Sequence, residues 1–447
     1  MKKELFGNSN APLYVRLYEH FRGLIISGAL EDGAKLPSIR RCAQEYELSR
    51  TTVENAYAML AQDGYVLSKP QSAYTVCGAV KKSIKPQESK CADEARHARF
   101  DFVSSYSDAD SFSLAVWSRY VKSALRSTDR LLSYGEEQGE EDLRKSISDY
   151  AAKQRGVVCA PSQVVIGAGV QSLLHILCSV IDTKNALFVG PLFSRGETIF
   201  KDRGFNTVHI EALPQNIDAL ADYSPGIIYI SPSHISPWGE VLSAQQRRQL
   251  IAFAGKNNCL ILEDDFDSEF RYYTRPVSSM QGMDSHECVV YFGSFSKLLL
   301  PSIHVSFMVL PERLMGQYRE KSSLYSQTAS KTEQIALCHY ISDGRLASQV
   351  RKLRKQYITK ADRLCEAAHE AFGGKAKAFA GSAGYLVKLE LGYALSAREV
   401  ERRAAQAGVA LKAFDVEGMP VLLLCCSGMP VADFMQAMLV LKAALEA

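Results

Sequence analysis

Nowhere in the chain do about 18 apolar residues run together, which excludes a helix of the kind that crosses a membrane. Residues 1–10 carry two lysines with no apolar stretch after them, so a secretory leader is not expected either. Charge of one sign is also missing. Lys and Arg number 52 against 49 Asp and Glu, and the net +3 gives no whole-chain electrostatic reason to bind nucleic acid or an anionic membrane. Any basic footprint has to be local. The eleven cysteines are scattered, odd in number and without a Cys-x-x-Cys, so they do not read as a disulfide framework, and a reducing cytoplasm is the expected setting. The adjacent Cys425 and Cys426 read as two small apolar residues of a buried strand. No metal site is expected.

What is present is ample. With 47% apolar and 23% charged residues the composition is that of an ordinary globular protein, and 447 residues correspond to two to four domains at roughly 100–200 residues each. Residues 1–77 form one unit. Residues 78–99, with Lys81, Lys82, Lys85, Pro86, Gln87, Glu88 and Ser89, are too polar to bury much and read as a flexible linker reaching about 25 Å by random-coil scaling. From residue 100 onward, helical periods alternate with short apolar runs at 164–167, 186–190, 207–210, 226–231, 259–264, 289–294 and 306–310. That alternation predicts an α/β domain with a mostly parallel sheet, with a smaller C-terminal subdomain over about 345–447. Ligands of such sheets sit at the carboxyl ends of the strands, so the residues just past each run are where chemistry is sought.

In the first unit, Leu17, Phe21, Leu24 and Ile25 mark a helix that Gly28 ends. A second helix comes after Pro37 and Ser38, with Ile39, Cys42 and Ala43 as its apolar face. Ser49 is the expected N-cap of a third, in which Val53, Ala56, Tyr57 and Leu60 are buried while Arg50, Thr51 and Thr52 project from the first turn. An arginine and two hydroxyls there suit base edges and phosphates of double-stranded DNA. Residues 64–67 and 74–76 read as two strands of a wing. A protein-docking module of three short helices is the plainer alternative.

Residues 12–76 resemble the winged-helix domain of the GntR regulators. The resemblance rests on Leu36-Pro37-Ser38 with Arg40, on Ser49-Arg50-Thr51-Thr52-Val53, on Ala56-Tyr57 with Leu60, and on Asp63-Gly64-Tyr65. It implies Arg40, Arg50, Thr51 and Thr52 as DNA contacts, beside the cap residue Ser49. The wing departs from the family, since Gln71 and Ala73 stand where two glycines are usual.

In the larger unit, the run 289–297 ends a buried strand with Ser294, Ser296 and Lys297. A desolvated lysine at a strand end can form a Schiff base with an aldehyde cofactor, and the serines can accept a phosphate; an ordinary loop lysine is the plainer reading. A second strand end, 260–265, carries Asp264, suited to a protonated pyridine nitrogen; Asp265 or Asp267 would serve equally as helix caps. A third, 164–172, is a small-residue turn before a helix whose N-terminal amides can bind phosphate, although such turns usually just pack a helix on a sheet. Phe193, beyond a fourth, can stack on a planar ring or lie in the core.

Taken in order, these strand ends resemble the fold type I pyridoxal-phosphate enzymes of the aspartate aminotransferase group over residues 100–447. Joined to the GntR-like unit, the whole chain resembles a MocR-type regulator. Further matching pieces are Tyr134-Gly135 with Gly139, Glu263-Asp264-Asp265, Ser231-Pro232-Ser233-His234 with Pro237 and Gly239, and Gly344-Arg345-Leu346 with Arg351 and Arg354. The resemblance implies pyridoxal 5'-phosphate as cofactor, Lys297 as its Schiff-base lysine, Asp264 on the pyridine nitrogen and Phe193 on the ring. It also implies that the amides of Val170 and Gln171 hold the phosphate with Ser294, and that Tyr134 reaches the partner subunit's site in a homodimer.

The departures from the family are chemical. His304 stands where an arginine clamps the phosphate, and it is neither permanently charged nor bidentate. Phe266 replaces a tyrosine that hydrogen-bonds the ring hydroxyl, and Ile235 and Trp238 replace a polar and a small residue. Past Arg403 there is no arginine to hold the carboxylate of an amino acid, and the run 421–426 is apolar. Three readings are open: a regulator that senses the cofactor or an amine reacting with it, a regulator whose large domain only dimerises, and an aminotransferase with an incidental DNA-binding unit.

Overall fold

The computed structural model describes residues 11–68, 73–77, 98–104, 111–191, 193–265, 268–270, 277–381 and 385–447. The chain divides into two compact units, Met1–Glu94 and Ala95–Ala447.

The first unit is three helices, α1 (Leu13–Ile26), α2 (Ile39–Tyr46) and α3 (Arg50–Gln62), with a two-stranded antiparallel ribbon of β1 (Val66–Leu67) and β2 (Thr75–Val76). Leu17, Phe21 and Ile25 of α1 meet Val53, Ala56, Tyr57 and Leu60 of α3 in one apolar cluster, which is why the helical spacing of these residues is readable. Ser38 caps α2 by accepting from the Arg41 amide, and Ser49 caps α3 by accepting from the Thr52 amide. The tight turn between the two helices runs through Glu47, held left-handed at φ 54. The ribbon's tip, with Gln71, lies outside the described residues, whereas Ala73 is within them.

The larger unit is built on a seven-stranded sheet of β4 (Val164–Ala168), β5 (Asn185–Val189), β6 (Asn206–Ile210), β7 (Ile227–Ile230), β8 (Leu260–Asp264), β9 (Val289–Ser294) and β10 (Val305–Val309), in the order β4-β10-β9-β8-β7-β5-β6. A short strand β3 (Phe100–Asp101) precedes these. Tyr229 packs into one apolar cluster while its neighbours Ile228 and Ile230 pack into another. Both faces of the sheet are thus covered by helices, which is why the strands read as continuous apolar runs instead of alternating ones. β10 runs antiparallel to both neighbours, pairing Val305 with Ala168 and Ser306 with Ser294. Its reversal brings the residue before it, His304, to the edge where β4, β8 and β9 end.

The long helix Arg345–Phe372 leads into a subdomain whose antiparallel sheet has the order β11 (Ala376–Ala380), β12 (Leu386–Leu391), β15 (Met419–Cys425), β14 (Lys412–Val416). A short strand β13 (Val409–Ala410) pairs in parallel with β3, so the beginning of the larger unit is stitched to its C-terminal subdomain. Among the described residues every cysteine is free, and no helix is long and apolar enough to cross a membrane.

Candidate functional site

In the winged-helix unit, Arg40 lies in the first turn of α2 and Arg50 and Thr51 in the first turn of α3, all three exposed. Ser49 and Thr52 are tied to each other, with their hydroxyl oxygens 2.7 Å apart. The five expected residues thus divide: Ser49 and Thr52 fix the start of α3, and Arg40, Arg50 and Thr51 are available on the surface. A helix N-terminus adds its own partial positive charge to theirs, which favours phosphate.

In the larger unit, Glu263 and Asp264 at the end of β8 and Asp265 just after it have separate roles, set by the pleat that sends successive side chains to opposite faces. Glu263 is buried and accepts from the Met280 and Gln281 amides at 2.8 and 2.9 Å. Burial, then the nearby charge of Asp265, pushes its carboxyl up from the ordinary value. Asp265, on the same face, is no helix cap. It meets the buried Arg155 with bonds of 2.6 and 2.9 Å and also accepts from Tyr291 and Ser268. Burial alone would raise Asp265, but the Arg155 charge and these hydrogen bonds bring it below the ordinary range. Asp264, on the opposite face and half-buried, accepts from the Tyr229 hydroxyl at 2.5 Å. Burial first, and the Asp264 charge second, hold the Tyr229 phenol well above its usual value, so it remains a donor.

Phe193 stands just before the helix Ser194–Asp202, and its ring stacks on Tyr229 with centroids 5.8 Å apart at 27°. Asp264, Tyr229 and Phe193 therefore form one acid-and-aromatic group. Across β9, Lys297 donates to the Tyr385 hydroxyl at 2.8 Å, its Nζ lying 4.5 Å from the centre of that ring. Phe266 lies outside the described residues.

The end of β4 offers a candidate anion cradle. The helix Gly169–Val180 begins without a side-chain cap, so the first-turn amides of Val170 and Gln171 have no partner within the helix. The Ala168 amide donates to Thr328, and Ser172 donates to the Gly169 carbonyl. Gly169 has φ +75, and a Cβ there would lie 2.6 Å from His304 Nε2, so the imidazole rests directly on the glycine. Ser294 is exposed, and its oxygen accepts from Ser306 at 2.9 Å. A lysine amine, a carboxylate, a flat aromatic face and an uncapped helix start on one sheet edge fit the aldehyde, ring nitrogen, ring and phosphate of pyridoxal 5'-phosphate. Tyr134 is fully exposed.

Sequence reasoning missed Tyr229, Ser306, Arg155, Thr328 and Tyr385. A tyrosine and a serine inside otherwise aliphatic runs were the available signal for the first two; the others come from distant segments with no local mark.

A winged helix joined to a sheet that carries a lysine and an acid at its strand ends defines a class, the transcriptional regulators with a fold type I aminotransferase-like domain. Known proteins agree with that assignment. Residues 13–76 match the bacterial regulatory proteins of the gntR family, and residues 104–434 match aminotransferase class I and II. The uncharacterised HTH-type transcriptional regulator YdeL of Bacillus subtilis is 34% identical over 89% of this chain and 88% of its own. The probable rhizopine catabolism regulatory protein MocR of Rhizobium meliloti is 29% identical over 79% and 76%. Among solved structures, Pyrococcus horikoshii kynurenine aminotransferase superposes with a TM-score of 0.67 at 19% identity, covering 81% of this chain and 96% of that one, a likeness of fold. The chain belongs to the MocR-type regulators of the GntR family.

Proposed function

We propose that this regulator is a cytoplasmic homodimer that binds operator DNA through Arg40, Arg50 and Thr51 and senses pyridoxal 5'-phosphate, or an amine that reacts with it, through Lys297. The observation that carries the reading is the meeting of Lys297, Asp264 and the uncapped Val170–Gln171 turn at one sheet edge. When bound, the cofactor supplies an electrophilic aldehyde carbon that exchanges between amines. Lys297 holds that carbon, Asp264 the ring nitrogen and Phe193 one ring face. The Val170 and Gln171 amides, with Ser294 and His304, hold the phosphate. The exposed Leu125, Leu132 and Tyr134 lie in one stretch and support a second copy of the chain as the partner that covers them.

The absence of an arginine after Arg403 favours sensing over transamination. A second reading, a large domain kept only for dimerisation, draws on His304, which offers phosphate less charge than an arginine. Mobility shift of a promoter fragment separates the two: affinity that changes on adding pyridoxal phosphate or an amine supports sensing, and an identical shift in all conditions contradicts it.

A further inference from the structure

Tyr385 connects the lysine to the place where the larger unit begins. Its ring is buried, 3% exposed, and held edge-on by Phe270 at 5.8 Å and Tyr357 at 5.9 Å, so its hydroxyl has a fixed position in front of the Lys297 amine. Its carbonyl accepts from the Cys426 amide at 2.8 Å. The adjacent Cys425 amide donates to the Phe102 carbonyl at 2.9 Å, and the Phe102 and Phe100 amides donate to Ala410 and Gly408. Three hydrogen bonds, linked through the Tyr385 residue and the Cys425–Cys426 peptide, therefore lead from the Lys297 amine to Phe102, the residue that follows β3.

We propose that Tyr385 is a positioning residue that reports the state of Lys297 to β3, and through it to the DNA-binding unit. The inference rests on the cofactor reading of Lys297. A lysine ammonium has three N–H donors. When the neutral amine condenses with an aldehyde, a carbon–nitrogen double bond forms, the carbon–oxygen double bond breaks, and the oxygen leaves as water with both amine protons. The nitrogen then carries at most one proton. Its ammonium donation to Tyr385 ends, and the residue before β12 is left with only the packing of its ring on Phe270 and Tyr357. Because Cys425, Cys426 and Phe102 are bonded in series behind Tyr385, the release reaches β3 without any change in the large sheet itself.

The test compares full-length wild type with Tyr385→Phe, titrated with pyridoxal phosphate and read by visible absorbance and by promoter binding. Wild type is expected to gain the absorbance band of lysine-bound cofactor and to change DNA affinity by at least about fivefold, whereas Tyr385→Phe keeps the band but changes affinity less than about twofold. A Tyr385→Phe protein with both the band and the full DNA response overturns the relay, as does a wild type with the band but no DNA response. A wild type without the band removes the cofactor reading itself, and the relay with it. Hydrogen exchange on wild type gives an independent measure should the variant not fold. Pyridoxal phosphate is expected to speed exchange of the Phe100, Phe102, Cys425 and Cys426 amides about tenfold, the effect of freeing one charge-assisted hydrogen bond. Unchanged exchange at all four contradicts the proposal.

Discussion

The two units place their candidate functional side chains in opposite ways. In the winged helix, Arg40, Arg50 and Thr51 stand exposed on the first turns of two capped helices, outside the apolar cluster that holds those helices together. In the larger unit, Asp264, Lys297, Phe193 and His304 come from four separate strand ends and are held by Tyr229, Tyr385, the Arg155–Asp265 pair at the end of β8, and the close fit of Gly169. The first arrangement separates function from stability. The second joins them, so a variant that removes a buried charge partner such as Asp265 loosens the site and the fold together.

The largest expected effect tests that junction. Asp265→Asn leaves Arg155 buried without its counter-charge and is expected to lower unfolding free energy by about 3–5 kcal/mol, measured by denaturant titration. Its pH dependence has a definite sign. The folded carboxyl is held below its ordinary value, so the pair's contribution is complete above about pH 4, where an unfolded Asp titrates, and is lost as pH falls through the lower folded value. Wild type is expected to lose stability more steeply than the variant below that pH, and parallel acid-side curves would count against the assignment.

Next in size, Arg50→Ala is expected to weaken operator binding about ten- to a hundredfold while leaving the unfolding midpoint unchanged, since the side chain is exposed. A fall in stability comparable to that of Asp265→Asn would break the comparison between the units. The smallest effect sharpens the cofactor side. His304→Arg restores a permanently charged, bidentate donor and is expected to tighten pyridoxal phosphate binding about tenfold in an equilibrium titration. Unaltered affinity would place the phosphate away from His304.

The same contrast explains what was legible in the sequence. Local signals carried the winged helix, because caps, helical spacing and the exposed first turn lie within a few residues of one another: the cap Ser49 and the exposed Arg50 are adjacent in the chain. The seven strands were legible because burial on both faces forces continuous apolar runs. Strand-end residues such as Asp264 and Lys297 could be found at the carboxyl end of each run. Their supports could not. Arg155 meets Asp265 from the end of a helix far away in the chain, and Tyr385 meets Lys297 from another subdomain; such pairs are fixed by topology, which no local pattern encodes. The helix-cap alternative for Asp265 fails for the same reason, since a cap is a local role and Arg155, its partner here, is distant.

We propose that Lys297 holds pyridoxal 5'-phosphate. This is tested most directly by the absorbance spectrum of the purified full-length protein titrated with that cofactor, beside Lys297→Ala. A saturable visible band in wild type that is absent from Lys297→Ala is the predicted result. No band in wild type, or the same band in both proteins, would contradict the account.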